Sequence, residues 1–98
     1  MKMITSKQRS YLRGLANNID PIFQVGKGGI NDNMIKQFSE ALEARELVKA
    51  TVLKNASAQT REACEEIAAL TGAEVVQVIG SKFVLYKESK DNKVIELP

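Results

Sequence analysis

Apolar residues along this chain recur with periods that switch between helix and strand, and each switch marks a predicted element. Leu12, Leu15 and Ala16 stand at helical spacing. Upstream, Thr5-Ser6-Lys7-Gln8 has the capping-box pattern, a hydroxyl for the amide three residues on and a Gln side chain to return the bond, so a helix starts at Thr5. Asn17-Asn18-Ile19-Asp20-Pro21 stops it, because the residue before proline avoids helical geometry and proline cannot continue the ladder. Ile22-Phe23-Gln24-Val25 reads as a short strand running into Gly26-Lys27-Gly28-Gly29. A second helix begins at Asn31 or Asp32, both good caps, and runs to about Arg45 with Met34, Ile35, Phe38, Ala41 and Leu42 as its stripe.

Alternation then takes over at 47–54, with Val48, Ala50 and Val52 on one face and Lys49 and Thr51 on the other. Asn55-Ala56-Ser57 is a turn with Ser57 as a candidate cap for a third helix. That helix carries Ala63, Ile67 and Leu70 and ends at Gly72, the left-handed position past a helix. Strands at 73–79 and 82–88 flank Gly80-Ser81, a two-residue loop with glycine first that suits a type II′ hairpin. The tail from Ser89 is polar, and 94–97 is a weak final strand.

The order α-β-α-β-α-β-β implies an α/β domain with a four-stranded mixed sheet packed by three helices. A mostly parallel sheet with right-handed crossovers and one antiparallel hairpin is expected. Ninety-eight residues supply one domain, with a core at about 3–88 and a tail at 89–98.

Composition narrows the chemistry. Histidine is absent and Cys64 is the single cysteine. That removes an internal disulfide, His/Cys zinc sites, and Cys–His and Ser–His–Asp constellations. No apolar run approaches the roughly 20 residues of a membrane span, and the start lacks a signal-peptide pattern, so a cytoplasmic protein is expected. Residues 1–39 hold six Lys/Arg against two Asp, giving +4, while 40–98 hold eight against ten Asp/Glu, giving −2. A basic N-terminal part suits a polyanion, or simple solubility.

Gly26-Lys27-Gly28-Gly29 sits between a predicted strand and a helix start. Glycines let a sugar-phosphate backbone approach the main chain, Lys27 adds a mobile cation, and a helix start offers free amides. A Walker A loop fails, since Gly28 follows Lys27 and no Ser/Thr is placed for magnesium. A dinucleotide fingerprint fails at Asn31, where its third glycine belongs. The G-x-x-G loop with which KH domains clamp nucleic-acid backbone fits, and so does an ordinary tight β–α turn.

Phe83-Val84-Leu85-Tyr86 imitates the end of the RNP1 pattern, but Phe83 and Tyr86 are three apart and face opposite sides of a strand. Tyr11, Phe23 and Phe38 read as core. Base stacking is therefore not the expected mode; backbone and shape recognition is. Arg9 and Arg13 share a helix face, and Lys7, Lys27 and Lys36 lie in the same half of the chain. Lys49 and Lys54 read as outward strand positions that blunt an edge. Arg61 is placed to pair with Glu65, Lys82 lies beside a tight turn, and Cys64 reads as a small core residue.

Taken together, Val25-Gly26-Lys27-Gly28-Gly29-Ile30-Asn31, Glu46-Leu47-Val48-Lys49, the stretch from Thr71-Gly72-Ala73-Glu74 to Ile79-Gly80, and Phe83-Val84-Leu85-Tyr86-Lys87 resemble the CRM domain, the chloroplast RNA splicing and ribosome maturation module. The likeness is to its stand-alone bacterial, YhbY-like form and covers about residues 3–88. It implies a fold similar to the C-terminal domain of bacterial translation initiation factor three. It also implies RNA binding through the loop Gly26, Lys27, Gly28 and Gly29 with adjoining basic surface, in precursors of the large ribosomal subunit. Gly28 stands where relatives often carry Asn, which loosens the loop. Lys7, Arg9, Arg13, Lys36, Lys54, Arg61 and Lys82 are flanking candidates chosen by charge. The expectation is a monomeric RNA-binding protein with no cofactor, metal, small-molecule substrate or enzymatic activity. A protein-interaction module on ribosomal or assembly partners is the alternative.

Overall fold

A computed structural model describes residues 4–26, 28–54 and 59–98. The first helix, α1 (Ser6–Ala16), opens on the expected capping box: Thr5 Oγ1 accepts from the Gln8 amide at 3.1 Å and Gln8 Oε1 from the Thr5 amide at 3.0 Å. Strand β1 (Phe23–Val25) follows, then α2 (Asp32–Arg45), whose cap Asn31 accepts from the Met34 amide at 2.9 Å. Strand β2 (Leu47–Val52) leads to α3 (Thr60–Thr71), which ends at Gly72 with φ 77°. Gln59, rather than Ser57, occupies the cap of α3, without a side-chain bond, and the turn expected at 55–57 lies outside the described residues. The β3 (Glu74–Ile79) and β4 (Lys82–Tyr86) hairpin turns at Gly80, whose φ of 57° is the left-handed first position of a II′ turn.

The sheet order is β1-β2-β4-β3, with β1 and β2 parallel and the other two pairs antiparallel. This corrects the expectation of a mostly parallel sheet. The chain returning through the hairpin slots β4 between β2 and β3, so the two strands joined by α3 run the same way without touching. Burial explains the choice: Phe83 and Leu85 on one side of β4 and Val84 and Tyr86 on the other are all buried. A strand apolar on both faces belongs in the middle, whereas β3, with Glu74 and Gln77, tolerates an edge. A bulge at Val76 disturbs the β3–β4 register between Val75 and Gln77.

Each sheet face carries its own core. Phe38 and Leu42 of α2 and Ala63, Cys64, Ile67 and Ala68 of α3 cover Val25, Val48, Ala50, Val52, Phe83 and Leu85. The Phe38 ring lies 4.3 Å from that of Phe23 and 6.2 Å from that of Phe83, centroid to centroid. Cutting Phe38 to Ala would cost about 3–5 kcal/mol. Burial, with Glu65 nearby, pushes the Cys64 thiol up to about 12, so it is a core residue and not a nucleophile. The opposite face is smaller: Leu12 and Ala16 of α1 lie on Leu47, Val76, Val84 and Tyr86.

Several expectations change here. Tyr11 is 43% exposed and Leu70 58% exposed, so neither is core. Tyr11 lies about 100° round α1 from Leu12, and Thr71 and Ala68 complete the α3 stripe instead. Lys49 does not blunt an edge, because β2 has neighbours on both sides. Its Nζ donates to the carbonyls of Ala16 at 3.2 Å and Ile19 at 3.4 Å, closing the end of α1. The tail forms no strand. Glu46, buried with φ 65°, accepts from the amides of Ser89, Val94 and Ile95, each at 2.7 Å. Glu43 accepts from Ser89 Oγ at 2.6 Å and from the Lys90 and Asp91 amides at 3.1 Å. Those bonds hold the Glu43 carboxyl down at about 2. Ile95 and Leu97 then pack against the α1 core. No helix among the described residues is long and apolar enough to cross a membrane.

Candidate nucleic-acid interface

Parallel pairing of β1 with β2 and antiparallel return of β4 bring three chain segments to one end of the sheet. The Leu53 amide donates to Val25 O at 2.9 Å, and the Val52 amide to Ser81 O at 2.7 Å. The loop at 26–29, Lys54 and Lys82 therefore gather beyond the same strand ends, with Lys82 opposite Thr51. Both lysines are exposed.

Within the loop the Gly29 amide donates to Gly26 O at 2.9 Å, closing a turn. Gly29 is buried with φ 70°, a conformation that favours glycine. A Cβ on Gly26 would sit 3.6 Å from Leu53 Cδ1, an ordinary contact. Gly28 differs from both. It is exposed, and a Cβ there would meet nothing within 4 Å. No contact with the described residues would hinder a side chain at that position. Lys27 lies outside the described residues. The start of α2 is less open than its placement suggested. Asn31 takes the Met34 amide and Asp32 puts a carboxylate in the first turn, so bare main chain and cations, not the helix end, are what this loop offers an anion.

The other candidates separate into two groups. Arg9 and Arg13 on α1 and Arg61 on α3, helices on opposite faces of the sheet, line one groove of about 490 Å³ over the backbone of 75–79. Arg9 Nε donates to Val75 O at 3.3 Å, and Arg61 pairs with Glu65 at 3.7 Å as its spacing indicated. Lys7 is exposed roughly 200° round α1 from Arg9, and Lys36 is exposed on α2, across the sheet from α1. Those two are not brought to either group. What the spacing could not give is the role of β3: only the sheet order makes it an edge and places 61 beside 9 and 13.

A cavity of about 860 Å³ lies away from this surface at the start of α1, between Ile4, Thr5, Gln8, Tyr86, Lys87 and Leu97. Its Tyr86 hydroxyl is buried with no partner among the described residues. Burial, with the carboxylates of Glu46 and Glu88, raises the phenol above its usual range.

The family model for the CRS1 / YhbY (CRM) domain matches residues 4–87. The chain belongs to the CRM domain family. Its fold is also that of a solved relative: the hypothetical protein SAV1595 from Staphylococcus aureus superposes with a TM-score of 0.80 at 59% identity, covering 98% of this chain and 100% of that one. "Probable RNA-binding protein YqeI" of Bacillus subtilis is 55% identical over 96 residues, 98% of this CRM domain and 100% of the relative. An "RNA-binding protein" of Haemophilus influenzae is 33% identical over 99 residues, 100% and 98% of the two chains. The match stops at Lys87, just before the residues that Glu43 and Glu46 bind.

Proposed function

We propose that this CRM domain binds structured RNA, in particular ribosomal RNA of the precursor large subunit, by holding its phosphodiester backbone against the loop at 26–29. The domain acts in the cytoplasm as a monomer, without cofactor or metal, and catalyses nothing. Relatives named as RNA-binding proteins support the RNA, and the family resemblance supports the ribosomal precursor. The observation that carries the reading is Gly28: an exposed position with room for a side chain, at the sheet end that also carries Lys54 and Lys82. In this chain the position is bare toward solvent, which suits a partner that comes close to the main chain.

Binding of this kind is governed by phosphate contacts, with little base readout. If roughly four phosphates are neutralised, log affinity falls with log salt at a slope near −3 to −4. The test is crosslinking in cells followed by sequencing of the attached RNA, with wild type beside the double variant Lys27→Asp, Gly28→Asp. Enrichment of large-subunit precursor that the variant loses supports the proposal. Enrichment of messenger or transfer RNA, or recovery unchanged in the variant, refutes it.

A further inference from the structure

We infer that the RNA partner is a double helix held at two points, one strand on the loop at 26–29 and the other in the arginine groove at the opposite edge of the sheet. This inference rests on the RNA-binding reading of the loop.

The groove itself asks for a polyanion. Arg9, Arg13 and Arg61 converge on one strand edge, and no carboxylate among the described residues lines the groove with them. Arg9 uses its Nε on Val75 O, which leaves its two terminal nitrogens. The pairing of Arg61 with Glu65 is a surface contact between side chains 66% and 61% exposed, too solvated to neutralise it. Three like charges drawn together in this way disfavour the free domain. Guanidinium forks match phosphate oxygens two at a time, which lysines do not.

Placement then distinguishes one strand from two. β1, which leads into the loop, and β3, which floors the groove, are the outermost strands of the sheet. Three strand spacings, roughly 14 Å, lie between them. A single strand laid along that distance would need its bases stacked on aromatic rings. Phe38, Phe83 and Tyr86 are buried, and Phe23 packs on Phe38 under the opposite face. Tyr11 is exposed, but it lies two residues from both Arg9 and Arg13, roughly 200° round α1 from each. The basic surface therefore offers phosphate contacts and no stacking platform. In a double helix the bases stack on one another, and A-form RNA presents its two backbones across a wide, shallow minor groove. Loop and groove then take one backbone each, with Lys82 at the sheet end between them.

The test measures fluorescence anisotropy with a blunt RNA duplex of about 16 base pairs and with its separated strand. Three proteins are compared: wild type, the triple variant Arg9→Ala, Arg13→Ala, Arg61→Ala, and the single variant Gly28→Asp. Circular dichroism checks that each is folded. Arg13→Glu with Arg61→Glu, both at exposed positions, serves in place of the triple variant if Arg9 proves necessary to the edge strand. Wild type is expected to prefer the duplex. The triple variant should lose roughly 30-fold in duplex affinity and flatten the salt slope by two to three, and Gly28→Asp should weaken the duplex independently. If Gly28→Asp abolishes binding while the arginine variants bind the duplex as wild type does, the two-point inference is overturned and the loop reading stands. If the single strand binds as tightly as the duplex and loses as much in the triple variant, the duplex is the wrong substrate class. If wild type binds neither RNA, the proposed function falls with the inference.

Discussion

The two ends of the sheet handle exposed main chain in opposite ways. At the end where β2 begins and β4 finishes, Glu43 and Glu46 reach out of the α2–β2 junction and bind the backbone of the tail through residues 89–95. Glu46 is buried, and three amides converge on its carboxylate. At the other end, Gly28 and the lysines at 54 and 82 face water. The difference teaches where to look for a partner. The chain recruits carboxylates to seal loose backbone, and among the described residues it does so at one end only. The end it leaves open carries cations and a bare glycine, which is the arrangement an incoming polyanion needs.

Breaking the sealed end should have the largest effect. Glu46→Ala leaves three amides without their acceptor and is expected to cost about 3–4 kcal/mol, read as a lower urea midpoint, with the tail becoming protease-sensitive. RNA affinity of the remaining folded fraction should be unchanged, and a parallel loss of affinity would mean that the ends are not independent. The open end should give the reverse result. Lys27→Asp with Gly28→Asp is expected to weaken RNA binding roughly 30-fold, about 2 kcal/mol, while shifting stability by less than about 0.5 kcal/mol. Acid sharpens the contrast further. Folding lowers the Glu43 carboxyl from 4.5 to about 2, so its contribution is complete above about pH 4.5 and fades as pH falls toward 2. Glu43→Gln should therefore be less stable than wild type at pH 6 and converge with it near pH 2, as followed by thermal unfolding across that range. The smallest effect belongs to Tyr86→Phe. Removing a buried hydroxyl with no partner should be neutral or stabilising by up to about 1 kcal/mol, and a clear destabilisation in calorimetry would show that the hydroxyl has a partner outside the described residues.

Local signals in the chain were readable where they act locally. The capping box at Thr5 and Gln8, the Asn31 cap, the left-handed Gly72 and the Gly80 turn all depend on neighbours a few residues away, and each appears in the structure. The position of β4 depends instead on competition among strands for the centre of the sheet, which no periodicity reports. The same limit hid the arginine groove, whose members at 9, 13 and 61 meet only because β3 ends up outermost. Lys49 was misread for a related reason: an outward strand position becomes a helix cap once α1 crosses it. The tail read as polar chain with a weak strand at 94–97, because nothing in 89–98 announces that its amides dock on two carboxylates instead of on a strand edge. Glu46 carries a faint signal, a charged residue between an apolar helix and an apolar strand. Only its positive φ and burial reveal the use.

Amide chemical shifts of the labelled protein, followed while a large-subunit precursor RNA fragment is titrated in, report on both ends at once. The displaced signals are expected to cluster at 26–29, around Lys54 and at 80–82, and in the arginine groove at 9–13, 61 and 75–79, with those of 89–97 unmoved. Displacements centred on Tyr86, Lys87 and Leu97, with the glycine loop silent, would contradict it.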